Sequence, residues 1–196
     1  MFIVLEGPDA SGKSTQLELL AHALAERGIS PVTTREPGDT DTGAALRRLL
    51  LSPCSKLRPL TELLLMVADR HEHVEEVIRP ALAQGRWVIC SRYALSSVVY
   101  QGIARGLGAE LAHELNRHAT GGLESDHTFL LDLPPEIAYE RTGRRDRFEE
   151  EGLAFFAKVR EAYLTLLETQ PGAHVIDATL PPEQVCQNIL ARLPLP

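Results

Sequence analysis

Cysteine is scarce in this chain, and long apolar runs, positive net charge and low-complexity linkers are all missing. The three cysteines, Cys54, Cys90 and Cys186, are odd in number, far apart and in no CxxC spacing. That excludes a disulfide framework and a thiolate zinc site, and it fits a reducing compartment. No stretch approaches the ~18 apolar residues needed to span a bilayer. The first apolar run, 2–5, has no basic segment before it and is too short for a signal peptide. A cytoplasmic address, with no membrane contact, is therefore expected. Formal net charge is −7, so no overall basic field attracts a nucleic acid polymer. A small anionic substrate would have to be held by a local group of arginines. No repeat occurs, and no stretch rich in Gly, Ser or Pro divides the chain.

What is present is an alternation. Short runs at 2–5, 31–34, 87–90, 128–131 and 174–176 read as strands, mostly unbroken by polar residues, as in parallel strands covered on both faces. Between them lie helical spacings, such as Leu17, Leu20, Ala21 and Leu24. The stretch 60–84 is helical in pattern, and Pro80 is expected to bend it or begin a separate last turn. The span 92–122 reads as two helices divided near Gly102 to Gly108. An α/β sheet with crossover helices follows, in one domain over 1–196.

Directly after the first strand, Gly7-Pro8-Asp9-Ala10-Ser11-Gly12-Lys13-Ser14 matches GxxxxGK[ST] in full. Glycines let the backbone wrap phosphate oxygens, which are met by amide N–H groups and a helix N-terminus. Lys13 is expected to reach the outer phosphates, Ser14 to ligate Mg²⁺, and Thr15 to extend the cradle. Guanine-reading NKxD is absent, and the third strand ends Cys90-Ser91-Arg92 rather than in the Asp of a motor ATPase. Two other signals carry no chemistry. His71-Glu72-His73 is not HExxH and splits its histidines between helix faces; Gly106-Leu107-Gly108 lacks a preceding strand and a third glycine.

Four more strings occur in order: Thr34-Arg35-Glu36-Pro37-Gly38, Ala68-Asp69-Arg70, Ser91-Arg92-Tyr93 running to Tyr100-Gln101, and Asp146-Arg147-Phe148-Glu149. Together with the phosphate loop they resemble the bacterial thymidylate kinase family over nearly the whole chain. The resemblance implies a P-loop nucleoside-monophosphate-kinase fold with a five-stranded parallel sheet flanked by helices. It implies a homodimer that transfers the γ-phosphoryl group of ATP, with Mg²⁺, to dTMP for dTTP supply.

It also assigns roles. Arg47 and Arg92 would clamp the acceptor phosphate, a task that suits the planar guanidinium fork; Arg48 is the alternative to Arg47. Met66 and Arg70, four apart on one helix face, would cover the thymine ring and bond its O4. Met66 stands where the family has an aromatic ring and could equally be core filler. Ser97 and Gln101 would hold the base edge, Tyr100 would crowd the ribose 2′ position, and Asp9 would bind the 3′-hydroxyl. The segment 141–152 resembles the family's LID. Its Arg144, Arg145 and Arg147 are candidates for a finger supplied in cis, with Asp146 and Glu149 orienting them or holding Mg²⁺. Glu36-Pro37 is expected to be a cis bond. Ser91 replaces the family's aspartate before the arginine, and Asp39 replaces a glycine. Two rival readings stay open: a kinase for another nucleoside monophosphate, or a nucleotide-binding module without catalysis.

Overall fold

The structure, a computed structural model, describes residues 1–52, 54–142 and 152–195. Five parallel strands form one sheet: β1 Phe2–Glu6, β2 Val32–Arg35, β3 Val88–Ser91, β4 His127–Asp132 and β5 Ala173–Asp177, in the order β2-β3-β1-β4-β5. All five agree with the expected runs to within about two residues. Burial follows position in the sheet. Central β1 and β3 are buried at every residue, whereas edge strands β2 and β5 alternate between covered and exposed. Only residues with both faces packed need to be apolar throughout, so the outer strands can carry Thr33, Arg35 and Asp177.

The helices are α1 Lys13–Ala25, α2 Asp41–Leu51, α3 Pro59–His73, α4 Arg79–Ala83, α5 Ala94–Ser97, α6 Ala109–Thr120, α7 Pro135–Thr142, α8 Leu153–Leu167 and α9 Pro182–Leu190. The main core packs α1 and α9 against one sheet face through Ile3, Leu5, Leu20, Leu24, Phe129 and Ile189. On the other face, α8 places Val159, Ala162 and Tyr163 against Val99, Tyr100 and Leu130. Its buried residues Phe156, Val159, Tyr163 and Leu167 recur at three- and four-residue spacing, the period of one helix face.

The stretch expected to be helical from 60 to 84 is continuous but not uniform. A π-helical turn, Val74–Ile78, joins α3 to α4, and Pro80 sits in the first turn of α4. Proline supplies no N–H and its ring crowds the carbonyl four residues back, so the turn ahead of it widens. A second π-helical segment, Val98–Ala104, continues α5 and ends at Arg105. The break between the two expected helices therefore falls at 105–108, and Gly102 lies inside the helical run. There a Cβ would meet Gly108 O at 3.1 Å and Ala112 Cβ at 3.3 Å, so the lack of a side chain lets α6 pack close.

Strand order puts the carboxyl ends of β1 and β3 side by side. The chain leaves them in opposite directions, β1 towards β2 and β3 towards β4. A crevice opens where such connections diverge.

Candidate active site

The loop after β1 fills one side of this crevice. Gly7 has φ 146°, and a Cβ there would lie 2.8 Å from Leu131 O, so the backbone can turn there only without a side chain. Ala10 also takes a left-handed φ of 60°, a sparsely populated conformation that is common at functional loops. The loop delivers the chain into α1 through Gly12, with no side-chain cap and no acidic residue in the first turn. The first N–H groups of α1 are thus left for an anion. Ser14 and Thr15 are exposed and line the cavity in front of them.

Lys13 is buried, and its ammonium donates to Gly7 O at 3.0 Å, Pro8 O at 2.7 Å and Ser11 Oγ at 3.3 Å. It is folded back on the carbonyls of its own loop. Burial and the nearby Arg92 lower its pKa to about 7, against the pull of Asp9 and Glu6.

The other side comes from β3 and from the turn and helix that leave it. Arg92 has φ 70° and its amide bonds Leu5 O at 2.9 Å, which ties the turn after β3 to β1. Its guanidinium bonds Asp9 Oδ1 at 2.5 Å, Ser96 Oγ at 3.1 Å, Tyr100 Oη at 3.2 Å and Tyr163 Oη at 3.4 Å, and it stacks 4.9 Å from the Tyr100 ring centre. Tyr100 Oη in turn donates to Asp9 Oδ2 at 3.1 Å. Burial by itself would raise the Asp9 pKa, but Arg92 and Lys13 hold the carboxyl below its usual range.

Beneath this group lies Glu6, fully buried at the end of β1. Its Oε1 accepts the amides of Tyr93 at 3.0 Å and Ser96 at 3.2 Å, and its Oε2 accepts Ser96 Oγ at 2.6 Å and Tyr163 Oη at 2.9 Å. Glu6, Ser96 and Tyr163 were not foreseen. The one signal in the sequence was an acid ending an otherwise apolar strand.

Arg70 is 1% exposed and almost fully engaged. Its Nε donates to Glu36 Oε2 at 2.7 Å, one Nη to Ser97 Oγ at 2.9 Å and to Asn116 Oδ1, and the other Nη to Tyr93 O at 3.0 Å. Of five N–H donors, four are used, and none of the described residues takes the fifth. Gln101 is likewise buried and donates to Glu62 Oε1 at 2.7 Å. Arg47 donates to Pro37 O at 2.6 Å and lines the cavity, whereas Arg48 is exposed and does not line it. Glu36-Pro37 is cis. Ser91 lines the cavity, and its carbonyl accepts the Glu36 amide at 3.0 Å.

One cavity of about 410 Å³ brings these groups together, a size within the usual range for small-ligand sites. From the phosphate loop it takes Asp9, Ala10, Gly12, Lys13, Ser14 and Thr15. From the opposite wall it takes Arg47, Met66, Arg70, Arg92, Ser97, Tyr100 and Gln101. Gly7, Pro8 and Ser11 stand behind the loop rather than on the cavity wall. Met66 does both things the sequence left open, lining the cavity while packing on the Val99–Leu130–Tyr163 cluster. Arg35 and Arg141 also face the cavity and were not singled out from the sequence. Arg144, Arg145, Asp146, Arg147 and Glu149 lie outside the described residues.

Comparison with known proteins agrees with this geometry. The thymidylate kinase family model matches residues 5–189. The chain is 46% identical over 205 residues to the thymidylate kinase of Desulfosudis oleivorans, covering 98% of this chain and 96% of that one. It is 47% identical to that of Synechococcus sp. strain RCC307, covering 96% and 92%, and 45% identical to that of Pseudomonas putida strain W619, covering 99% and 96%. Phosphate loop, paired arginines and near-complete alignment thus coincide, and the chain belongs to the thymidylate kinase family.

Proposed function

We propose that this protein transfers the γ-phosphoryl group of ATP to dTMP, giving dTDP, within one domain formed by the whole chain. The observation that carries this reading is the shared cavity, with Lys13 and the α1 N-terminus on one wall and Arg47, Arg70 and Arg92 on the other. Transfer between two phosphates needs little covalent chemistry. It needs both anions in line, their charge neutralised and water kept away.

Each residue has a part in this. Backbone amides of residues 9–10 and 12–15 and the Lys13 ammonium bind the donor phosphates. As they arrive, Lys13 exchanges the carbonyls of Gly7 and Pro8 for phosphate oxygens, which restores its proton affinity. Arg92, with Arg47, grips the acceptor phosphate. Asp9 and Tyr100, already bonded to Arg92, face the sugar and leave no room for a 2′-hydroxyl. The fifth N–H of Arg70 reads O4 of thymine, Ser97 and Gln101 border the base, and Met66 covers its face with a polarizable thioether. Arg144, Arg145 and Arg147 supply the charge that meets the transferring group.

Mg²⁺ fits the residues present. A hard cation wants oxygen donors, and the Ser14 hydroxyl stands exposed at the start of α1 beside the phosphate path, with Glu149 as a second donor. When bound, Mg²⁺ neutralises charge between the donor phosphates. We also place the protein in the cytoplasm as a homodimer. No helix among the described residues is long and apolar enough to cross a membrane. Leu60 and Leu64, one turn apart on α3, are 47% and 48% exposed, an apolar pair suited to contact with a second copy.

The test is chromatographic detection of dTDP from ATP, Mg²⁺ and dTMP, run beside dUMP, the ribose counterpart, CMP and AMP. The expected result is dTMP as the best acceptor by kcat/KM, with the ribose form far behind. Preference for another monophosphate, or tight ATP binding without any transfer, would overturn the reading.

A further inference from the structure

Beside the cavity, the last turn of α3 is tied to β2 and the loop after it by a chain of polar groups, of which Glu36 and Arg70 line the cavity. Thr34 Oγ1 donates to Asp39 Oδ2 at 2.5 Å and lies 2.6 Å from His73 Nε2. His73 Nδ1 lies 3.0 Å from Glu36 Oε1, and Glu36 Oε2 accepts Arg70 Nε at 2.7 Å. His73 is 1% exposed and Glu36 4%.

Counting protons decides the form of the ring. A threonine hydroxyl has one proton, and here it goes to Asp39, so His73 Nε2 must donate to the hydroxyl oxygen. Glu36 is a carboxylate shared with a guanidinium and can only accept, so Nδ1 must donate as well. Both ring nitrogens are thus placed to donate. The groups facing this ring are Glu36 and Asp39 from the loop, Asp69 and Arg70 from α3, and Cys90 from β3. The ring and the Arg70 guanidinium thus stand among three carboxyl groups. Glu36, His73 and Cys90 have potential ligand atoms within 4.8 Å of one another. They do not suit a metal, because both ring nitrogens are engaged, with Thr34 and Glu36, and Cys90 Sγ donates to Arg92 O at 3.0 Å.

We infer that His73 is a positioning residue for the acceptor half of the site, held as an imidazolium strut that touches no substrate. It fixes Glu36 between two cations. Glu36 in turn orients the Arg70 fork and anchors the turn that continues into Pro37, whose carbonyl holds Arg47. The same turn is pinned from α3 by Asp69, which accepts the Gly38 amide at 2.9 Å. The positioning role rests on the proposed function; the charged state of the ring does not.

Two measurements on the full chain test this. Long-range proton–nitrogen NMR of the ¹⁵N-labelled protein near pH 7.5 should show one buried imidazole with both nitrogens protonated. A neutral tautomer at His73 would overturn the inference. Because His73 substitutions could prevent folding, the kinetic arm uses Thr34, which is isosteric with valine. Thr34→Val should raise KM for dTMP roughly fivefold or more, leave KM for ATP and kcat within about twofold, and make KM for dTMP climb with pH. Thr34→Ser, which keeps the hydroxyl, should restore the wild-type values and flat profile. Equal KM values and equal pH profiles in the two variants would overturn the positioning role. A wild-type protein that does not phosphorylate dTMP would remove the proposed function and that role together, while the ring spectrum would still decide the charge state.

Discussion

The two walls of the cavity are built on opposite plans. The acceptor wall is assembled from buried charges that already hold one another. Arg70 spans Glu36, Ser97, Asn116 and Tyr93, and Arg92 spans Asp9, Ser96, Tyr100 and Tyr163, over a fully buried Glu6. The donor wall is a backbone loop with exposed hydroxyls at Ser14 and Thr15 and a lysine bonded to its own loop. The first wall is preorganised, and its cost in desolvation was met during folding. The second must exchange partners when phosphate enters. A base and sugar have fixed shapes that a rigid wall can select, whereas phosphoryl transfer needs donors that follow moving charge.

Breaking the acceptor wall should therefore damage the fold as well as the site. Arg70→Met leaves Glu36 buried without its guanidinium partner, and one-sided loss of a buried ion pair typically costs about 3–5 kcal/mol. Denaturant unfolding should show that loss, alongside a raised KM for dTMP. Stability unchanged to within about 1 kcal/mol would mean that the wall is not a preformed network.

Breaking the donor wall should do the reverse. Lys13→Ala is expected to lower kcat by a hundredfold or more, about 3 kcal/mol, as for removal of a charge-stabilising donor. Stability should stay near or above wild type. The sign follows from linkage. The folded-state pKa of Lys13 is about 7 against a usual 10.5, so burying the ammonium costs stability below pH 7, and that cost fades as pH rises towards 10.5. The variant should hence gain most over wild type at or below neutral pH. More than about a tenth of wild-type kcat would reject the assigned role.

A smaller effect sharpens the comparison within the acceptor wall. Asp69 is buried, its Oδ2 has no hydrogen-bond partner among the described residues, and burial and Glu36 raise its pKa to about 6 from the usual 3.8. A carboxyl raised in this way favours the fold when protonated, so its contribution is present at acid pH and is lost as pH climbs through about 6. Asp69→Asn should stabilise the protein by roughly 1–2 kcal/mol at pH 8 and by almost nothing near pH 4. Thermal unfolding across that range measures it.

How much of this was legible beforehand divides along the same line. The donor wall is a contiguous string, so residues 7–15 could be read directly. The sheet was legible because buried parallel strands cannot hide their composition. The acceptor wall is made of distant pairs. Glu6 meets Tyr163 across 157 positions and Arg70 meets Asn116 across 46, and no local spacing encodes such contacts. His73 shows the limit well. Its place in His71-Glu72-His73 excluded a metal motif, and the structure sends the two rings apart, His71 to Ala119 O and His73 inward to Glu36. Nothing in the string, however, announced that the inward ring would sit between a carboxylate and a threonine. Pro80 marked a bend or a new turn in its helix but not the π-helical form of the turn ahead of it, and the π-helical segment after α5 had no marker of that kind.

The central claim is that the acceptor wall is complete before the donor arrives, and calorimetric titration of dTMP into the protein without ATP or Mg²⁺ tests it most directly. A preformed wall predicts saturable binding at one site per chain, with affinity that changes by less than about threefold, under ~0.7 kcal/mol, when a non-hydrolysable ATP analogue and Mg²⁺ are added. Absence of dTMP binding until the analogue is present would show that the wall is assembled by the donor, and would contradict the account.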